Sequence, residues 1–417
     1  MKVKFITLGC KTNFYESQSM AEMFREAGYE IAERGAADIY VINTCTVTGT
    51  GAQKSRQHIR KAKKENPGAV IAVTGCYAQT EPEAVKSLPE VDVMVGTSGR
   101  RRIVELCERA LKGEKTLVCS DIMKEREFEE LALTPSQSRI RANIKIEDGC
   151  SNFCTYCIIP YARGPVRSRS LERIVEETRL LAGHGYAEAV LTGIHIGSYG
   201  KDLKNGLGLI DVVEAVCGVK GISRVRLGSI EPMTVTEDFA ARAKRLDNLC
   251  PQFHLSLQSG CSETLARMRR RYTAEEYAQA VERLRGAFPD ASFTTDLMVG
   301  FPGETDAEFE KSYEFCKGIG FMNMHVFKYS IRKGTVAEKM ENQVSEQVKE
   351  ERSEKMIALS ERMKKDFYGK FRGREMEVLI EKRVKSGKFH ATTANYMDVY
   401  VDADESMEGK IIKAVIE

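Results

Sequence analysis

The sequence predicts an α/β protein in three parts: an N-terminal α/β domain on a parallel sheet, an open partial (β/α)6 barrel, and a small C-terminal antiparallel β-barrel. Three observations carry the prediction. Over the first quarter of the chain, apolar runs of strand length alternate with stretches of helical spacing, as in a parallel sheet covered on both faces. Six further strand–helix units follow, which suggests an incomplete relative of the (β/α)8 form. After a long charged stretch the pattern becomes short β segments separated by turns.

Composition bounds the function. A chain of 417 residues is long enough for two to three domains and a full core. With 42% hydrophobic and 29% charged residues it reads as soluble and globular. No apolar run approaches the length that spans a bilayer, so no membrane partner is expected. The start, Met1-Lys-Val-Lys-Phe-Ile-Thr-Leu-Gly9, has too short an apolar part for a signal peptide. Twelve cysteines without a secretion signal point to a reducing cytoplasm, where thiols serve metals or chemistry. The net charge of +3 confines any nucleic-acid surface to a local patch.

The N-terminal domain is expected over residues 1–130. Val3–Leu8, Asp38–Thr44, Ala69–Thr74 and Val91–Val95 read as strands, and residues 14–27 and 50–65 as helices. Cys10, Cys45 and Cys76 each follow the carboxyl end of a separate strand. In an open parallel sheet those ends share one edge, where ligands bind, so three thiols far apart in sequence can converge. The plainer reading makes each a small buried core residue.

The middle domain is expected over 135–360. Its first strand, Ile140–Ile146, feeds into Glu147-Asp-Gly-Cys150-Ser-Asn-Phe-Cys154-Thr-Tyr-Cys157. Three thiolates at Cys-x3-Cys-x2-Cys spacing can bind three irons of a [4Fe-4S] cube and leave the fourth open to a substrate or cofactor. A zinc site is the alternative, but zinc prefers four ligands, and no His or Cys follows soon. Further strands are expected at Glu188–His195, Arg224–Ile230, Phe253–Leu257, Ser292–Val299 and Met324–Ser330, with helices such as Leu171–Leu181 and Ala274–Leu284 between them. Active residues belong at the carboxyl ends of such strands. Thr192 and Gly193 end the second, Glu231 the third and Gln258 the fourth, and Val299–Thr305 follows the fifth, with Thr305 a candidate helix N-cap. His195, His254 and His325 also fall near strand ends and are assigned to no metal.

The C-terminal domain is expected over 361–417, after a long charged helix over 345–368 that leaves the barrel. Between Arg352 and Lys388 stand twelve Lys/Arg against six Asp/Glu, and Lys54–Lys64 carries six Lys/Arg and no acid. Such runs are usually solvated helix faces. Beside a small β-barrel with the aromatics Phe389, Tyr396 and Tyr400, RNA binding is the better reading.

These motifs resemble a known family. The Cys150/Cys154/Cys157 array, with Tyr156 before its last cysteine, is similar to the signature of the radical S-adenosylmethionine (SAM) superfamily, whose usual fold is a six-strand partial barrel. Leu8-Gly-Cys-Lys-Thr-Asn13, Ile42-Asn-Thr-Cys-Thr46 and Thr74-Gly-Cys-Tyr-Ala-Gln79 resemble the three cysteine motifs of the methylthiotransferases. The resemblance implies a second [4Fe-4S] cluster on Cys10, Cys45 and Cys76. It implies that SAM chelates the open iron of the first and is split there to a 5′-deoxyadenosyl radical. It also implies SAM contacts at Tyr156, Thr192, Gly193, Glu231 and Gln258. The tail resembles the RNA-binding TRAM domain.

Four stretches look most like the bacterial branch that acts on N6-threonylcarbamoyladenosine at position 37 of tRNA. They are Gly9–Glu16, Ser55–Arg60, Leu191–Gly200 and Met268–Thr273. The implied partners are the tRNA anticodon stem-loop and a reductase or flavodoxin-like electron donor. The substrate carries a carboxylate, which calls for an Arg or Lys. Arg167 and Arg169, or Arg269, Arg270 and Arg271, are the candidates. Other readings are the isopentenyladenosine branch, a branch acting on a ribosomal-protein aspartate, a two-cluster electron-transfer protein, and a zinc-dependent RNA-binding module.

Overall fold

The computed structural model describes residues 1–46, 49–131 and 140–417, with nothing said of the side chains of 49 and 50. The expected start of the middle domain, at 135, lies outside the described residues. Six parallel strands form the first sheet, in the order Glu30–Ile31, Lys2–Thr7, Ile39–Thr44, Val70–Gly75, Val93–Val95, Thr116–Val118. The short strands Glu30–Ile31 and Thr116–Val118 at its two edges were not expected from sequence; each is too brief for a periodic signal. The two central strands are buried at every residue, as their unbroken apolar runs require. Met20, Phe24, Ile103 and Leu106 cover one face. Ala52, Ile59, Ala62 and Leu88 cover the other. Strand order reverses between Lys2–Thr7 and Ile39–Thr44, which makes the crevice at their carboxyl ends the topological switch point of the sheet.

The barrel wall runs through Arg141–Lys145, Glu188–Thr192, Arg224–Leu227, Ser229–Ile230, Gln252–Leu255, Ser292–Val299 and Asn323–Lys328, all pairings parallel. The third strand, expected as one run, breaks at Gly228. Arg224–Leu227 pairs with the second strand and Ser229–Ile230 with the fourth, while the Gly228 N–H donates to the Leu191 carbonyl at 2.8 Å. The break turns one flat sheet into two ladders around a curved wall. Among the described residues no ladder joins the first strand to the sixth, so the barrel stays open. Ile144, Leu191, Leu227, Leu255 and Leu297 lie in its core.

The long helix, Glu346–Gly369, does not leave the barrel as expected. Met356, Leu359 and Met363 pack into the barrel core, and Arg352 is buried against Glu304 and Asp306. Its heavy charge masked an apolar stripe that covers the sixth strand. The helix continues through residue 360 and places Phe367 in the core of the last sheet. That sheet is antiparallel, in the order Asp398–Val401, Phe389–Thr393, Glu375–Arg383, Ile411–Val415. Of the aromatics expected on its surface, only Tyr400 is exposed. Phe389 points into the core, because alternation along its strand turns it inward. Tyr396 is half-buried, with the Arg226 guanidinium 4.6 Å from its ring centre. Arg224 donates to the carbonyls of Thr392 and Glu377, and Arg226 to that of Ala394. The last sheet is thereby clamped to the barrel's third strand.

Candidate active site

The cysteine loop is closed at its base by a short antiparallel ladder, Glu147–Asp148 against Arg167–Ser168. Just inside it, Gly149 has φ +87°, and a Cβ there would meet the Pro165 carbonyl oxygen at 2.0 Å. Only glycine lets the two ends of the loop pass so closely. The Cys150 N–H donates to the Gly164 carbonyl at 3.0 Å. Burial pushes the Cys150 and Cys157 thiols up to about 12. Bare, they hold their protons, and metal binding must release them. Beside Cys154, Arg270 donates to the sulfur at 3.5 Å.

The three N-terminal cysteines do converge. Each follows its strand at the switch-point edge, and a Cβ on Gly9 would stand 3.1 Å from the Cys45 sulfur. Burial pushes the Cys76 thiol up to about 11; nearby Arg163 opposes this, while Cys10 and Cys45 add to it. Asn13 ties the strand ends together, donating to the carbonyls of Leu8 (2.7 Å) and Thr44 (3.1 Å). Among the described residues no three His, Cys, Asp or Glu side chains are placed to hold a single metal ion. A cube, with each thiolate on a different iron, asks for wider spacing than one tetrahedral ion. Two sets of three thiols, each at a loop or strand end, fit that demand.

Arg163 links the two sites. It is fully buried; its Nε donates to the Cys76 sulfur at 3.3 Å and its other nitrogens to Glu16 and Asn13. Lys145 donates to Glu16 at 2.8 Å and to Asp148 at 2.6 Å, and Arg100 pairs with Glu16 as well. These cations hold both carboxylates far below the usual range, against a burial that would raise them. The network locks the first sheet onto the cysteine loop.

At the strand ends, the N–H groups of Ile194 and His195 donate to one oxygen of buried Glu147 (3.0 and 2.7 Å), and the other oxygen has no partner. Burial raises Glu147 to about 8, despite those N–H groups. A Cβ on Gly193 would lie 2.8 Å from the same carboxylate. Gln258, held at φ +70°, also has an unpartnered buried oxygen. The orphaned Gln258 acceptor, the Glu147 carboxyl, which an ammonium would draw into its ionised form, and a glycine cradle suit a ligand with an ammonium group, such as the amino end of SAM. Glu231 accepts from Asn152 and pairs with His195 (2.9 Å) and Arg270 (2.9 Å). Burial would raise it, but His195 and Arg270 hold it at about 2. Tyr156 packs edge-on against Phe301. The turn Val299–Thr305 is filled from inside, since the Lys349 stem occupies the open face of Gly300. Thr305 caps the next helix, as expected.

Three of the five arginines expected to contact RNA are committed inside the protein, and this corrects the expectation. Arg167 donates to the Arg163 and Pro165 carbonyls and pairs with Asp148. Arg169 pairs with Glu130 and Glu177. Arg270 serves Glu231 and Cys154. Only Arg269 and Arg271 are exposed. Glu147, Asn152 and Arg163 were missed; the sequence offered only their closeness to Cys150 and Cys157 as a signal.

A cavity of about 900 Å³ opens between the parts. It is lined by Cys10, Lys11 and Phe14 of the first domain, by Thr192, Gly193, His254 and Asp296 of the barrel, and by Tyr368 and Tyr396 of the C-terminal part.

A family profile described as Uncharacterized protein family UPF0004 matches residues 2–96, and one described as Radical SAM superfamily matches 144–316. Threonylcarbamoyladenosine tRNA methylthiotransferase MtaB of Bacillus subtilis (strain 168) is 43% identical over 99% of this chain and 93% of its own. The protein of the same name from Aquifex aeolicus (strain VF5) is 37% identical over 100% of both. A tRNA-2-methylthio-N(6)-dimethylallyladenosine synthase from Acetivibrio thermocellus is 34% identical over 98% of this chain and 87% of its own. Among solved structures, the radical S-adenosylmethionine methyltransferase TsrM from Kitasatospora setae superposes with a TM-score of 0.59 at 14% identity, covering 78% of this chain and 74% of that one. The cobalamin-dependent S-adenosylmethionine radical enzyme OxsB gives 0.53 at 11%, covering 97% and 64%. At these identities the likeness is one of fold.

Proposed function

The chain belongs to the radical SAM methylthiotransferase family, and we propose that it converts N6-threonylcarbamoyladenosine in the tRNA anticodon loop to its 2-methylthio derivative. One observation carries this reading. Cys10 of the first sheet and Thr192–Gly193 of the barrel face a single cavity, and its volume of about 900 Å³ is ample for a nucleoside.

The enzyme works with SAM and two [4Fe-4S] clusters. Cys150, Cys154 and Cys157 would hold one cluster and Cys10, Cys45 and Cys76 the other. Glu147, Gly193, Gln258 and Tyr156 would hold SAM. When bound, these groups supply a methyl group, a sulfur and a radical able to replace the hydrogen at the unactivated carbon 2 of adenine. The chain's own part is position and exclusion. The Arg163 network fixes the first sheet against the cysteine loop, so both thiol sets meet one base at a set distance. His195 and Arg270 keep Glu231 ionised and immobile beside the loop. The cavity walls keep bulk water from the reacting edge. The target base must be splayed from its stack to enter.

Residues 1–130 act as the second-cluster domain, 135–360 as the SAM barrel and 361–417 as an RNA-binding unit. A reductase or flavodoxin-like protein supplies electrons in the cytoplasm. No helix among the described residues is long and apolar enough to cross a membrane.

The test is iron and sulfide content of anaerobically purified protein, with nucleoside mass spectrometry of treated tRNA. Wild type should carry about eight irons, and a Cys150/Cys154/Cys157→Ala triple variant about four, as two Cys-ligated cubes require. Wild type alone should form the 2-methylthio product. About four irons falling to none would remove the second cluster and the reading with it.

A further inference from the structure

We propose that Lys11 is the specificity residue for the substrate's anionic arm, pairing with the threonyl carboxylate inside the 900 Å³ cavity. The inference rests on the substrate reading above and assigns the group that recognises it. A carboxylate taken into a cavity needs a cation within hydrogen-bond reach, or its desolvation opposes binding. The charged groups facing the cavity can be taken in turn. His254 is engaged by Asp296 and Thr294. His325 lies beside His254, ring centres 6.2 Å apart and tilted by 38°, and its charge too would bear on Asp296. Asp398 accepts from His390. Lys364, without an ion pair among the described residues, lies over the Tyr368 ring on the helix Glu346–Gly369.

Lys11 differs in its place directly after Cys10, on the lining of both cavities it faces. Among the described residues it has no ion pair, and the charged groups around it are Arg141, Arg226 and Glu188. Glu188 is already shared by Arg226 at 2.8 Å and Arg141 at 3.3 Å. Lys11 is therefore a surplus cation on the wall of two adjoining cavities, the larger of about 900 Å³ and the smaller of about 410 Å³. Of the arginines offered by the sequence, Arg167, Arg169 and Arg270 are engaged by their own acids, and the exposed Arg269 and Arg271 are not among the residues lining the cavity.

The chemistry of the base places the arm on the same side. In an N6-ureido adenine, the outer urea N–H closes onto ring nitrogen 1. The threonyl arm then lies along the edge that carries carbon 2. Lys11 follows Cys10 directly in sequence, and both line the cavity together with Thr192 and Gly193. A base whose carboxylate is anchored at Lys11 turns its carbon 2 edge to the Cys10 wall. Recognition and positioning become one contact.

Fluorescence anisotropy with cluster-loaded enzyme tests this. Three anticodon stem-loops are compared: one with threonylcarbamoyladenosine, one with its carboxylate methyl ester, one with plain adenosine. Wild type should bind the free acid most tightly. Lys11→Met should lose about tenfold on the free acid, within the range of one charge-assisted hydrogen bond, and little on the other two. Lys11→Arg should recover most of that loss. Equal weakening on all three stem-loops would assign Lys11 to the phosphate backbone and overturn the proposal. So would an unchanged preference in Lys11→Met. Wild type binding acid and ester alike, but plain adenosine less well, would end the carboxylate contact without any variant. Wild type binding all three alike would overturn the substrate reading itself, and Lys11 with it.

Discussion

Arg163 shows how much a single side chain carries. It spans the two thiol sets and neutralises Glu16 from inside a fully buried network. Removing one partner of a buried ion pair leaves an uncompensated charge, at a cost of about 3–5 kcal/mol. Arg163→Leu should lower the thermal midpoint strongly and reduce iron content, while Arg163→Lys keeps a charge but loses the fork and falls between; a Leu variant that melts with wild type would refute this. Glu147 yields a pH prediction. Its carboxyl is raised from 4.5 to about 8 on folding, chiefly by burial. The folded protein therefore keeps a proton that the unfolded chain releases above about pH 4.5. This contribution to stability is full below 4.5 and is lost as pH rises through about 8. Thermal midpoints between pH 6 and pH 9 should fall more in wild type than in Glu147→Gln, whose amide has no proton to lose. Parallel profiles would mean Glu147 is ionised throughout. The six cysteines proposed as cluster ligands stood out in the sequence because their spacing and strand-end placement are local. Glu16, Arg100, Lys145 and Arg163 were not, because a buried ion network joins residues far apart in sequence, and each alone reads as a surface charge.

Among the elements, strands were easier to read than their ends and partners. Ser292–Val299 was found to the residue, its β-prone Phe293, Thr294, Thr295 and Val299 lying between turn residues at Pro289–Asp290 and Gly300. Arg224–Ile230 was read as one strand, because a break made by one backbone hydrogen bond at Gly228 leaves no mark on hydropathy. The helix Glu346–Gly369 misled through its charge, whereas its buried stripe of Met356, Leu359 and Met363 is sparse. The cysteine loop bears the sharpest element-level prediction. Gly149→Ala asks for a Cβ 2.0 Å from the Pro165 oxygen, at a φ of +87° that L-residues avoid. The loop cannot close at its base, so Cys150 loses its place relative to Cys154 and Cys157. Iron should fall by about half, the N-terminal cube being untouched. Full iron content in Gly149→Ala would show that the loop has room the geometry denies. A gentler change, Thr305→Ala, removes a reciprocal cap in which Thr305 and Glu308 each accept the other's backbone N–H. It should cost about 1 kcal/mol in stability, read by denaturant unfolding.

At the scale of the whole molecule, the C-terminal sheet is part of the enzyme's body and not a loosely tethered attachment. Its core includes Met322 from the barrel and Phe367 from the helix that covers the sixth strand. Arg224 and Arg226 reach from the barrel's third strand to carbonyls at 377, 392 and 394. Tyr396, at the turn they grip, lines the cavity together with Cys10 and Gly193. If this sheet grips the RNA, its fixed seat presents a loop nucleotide to the cavity at a set depth, which a flexible tether cannot do. Truncation after Gly373 should therefore do more than weaken tRNA binding. It bares Phe367, Phe371 and Met322, leaves Arg226 without its Ala394 partner, and opens one wall of the cavity. The shortened chain should melt lower and associate through the exposed apolar surface, seen as higher-order species by size exclusion. If it instead stayed monomeric and melted with the full chain, the sheet would be an independent appendage. The cavity would then be the work of the first two parts alone.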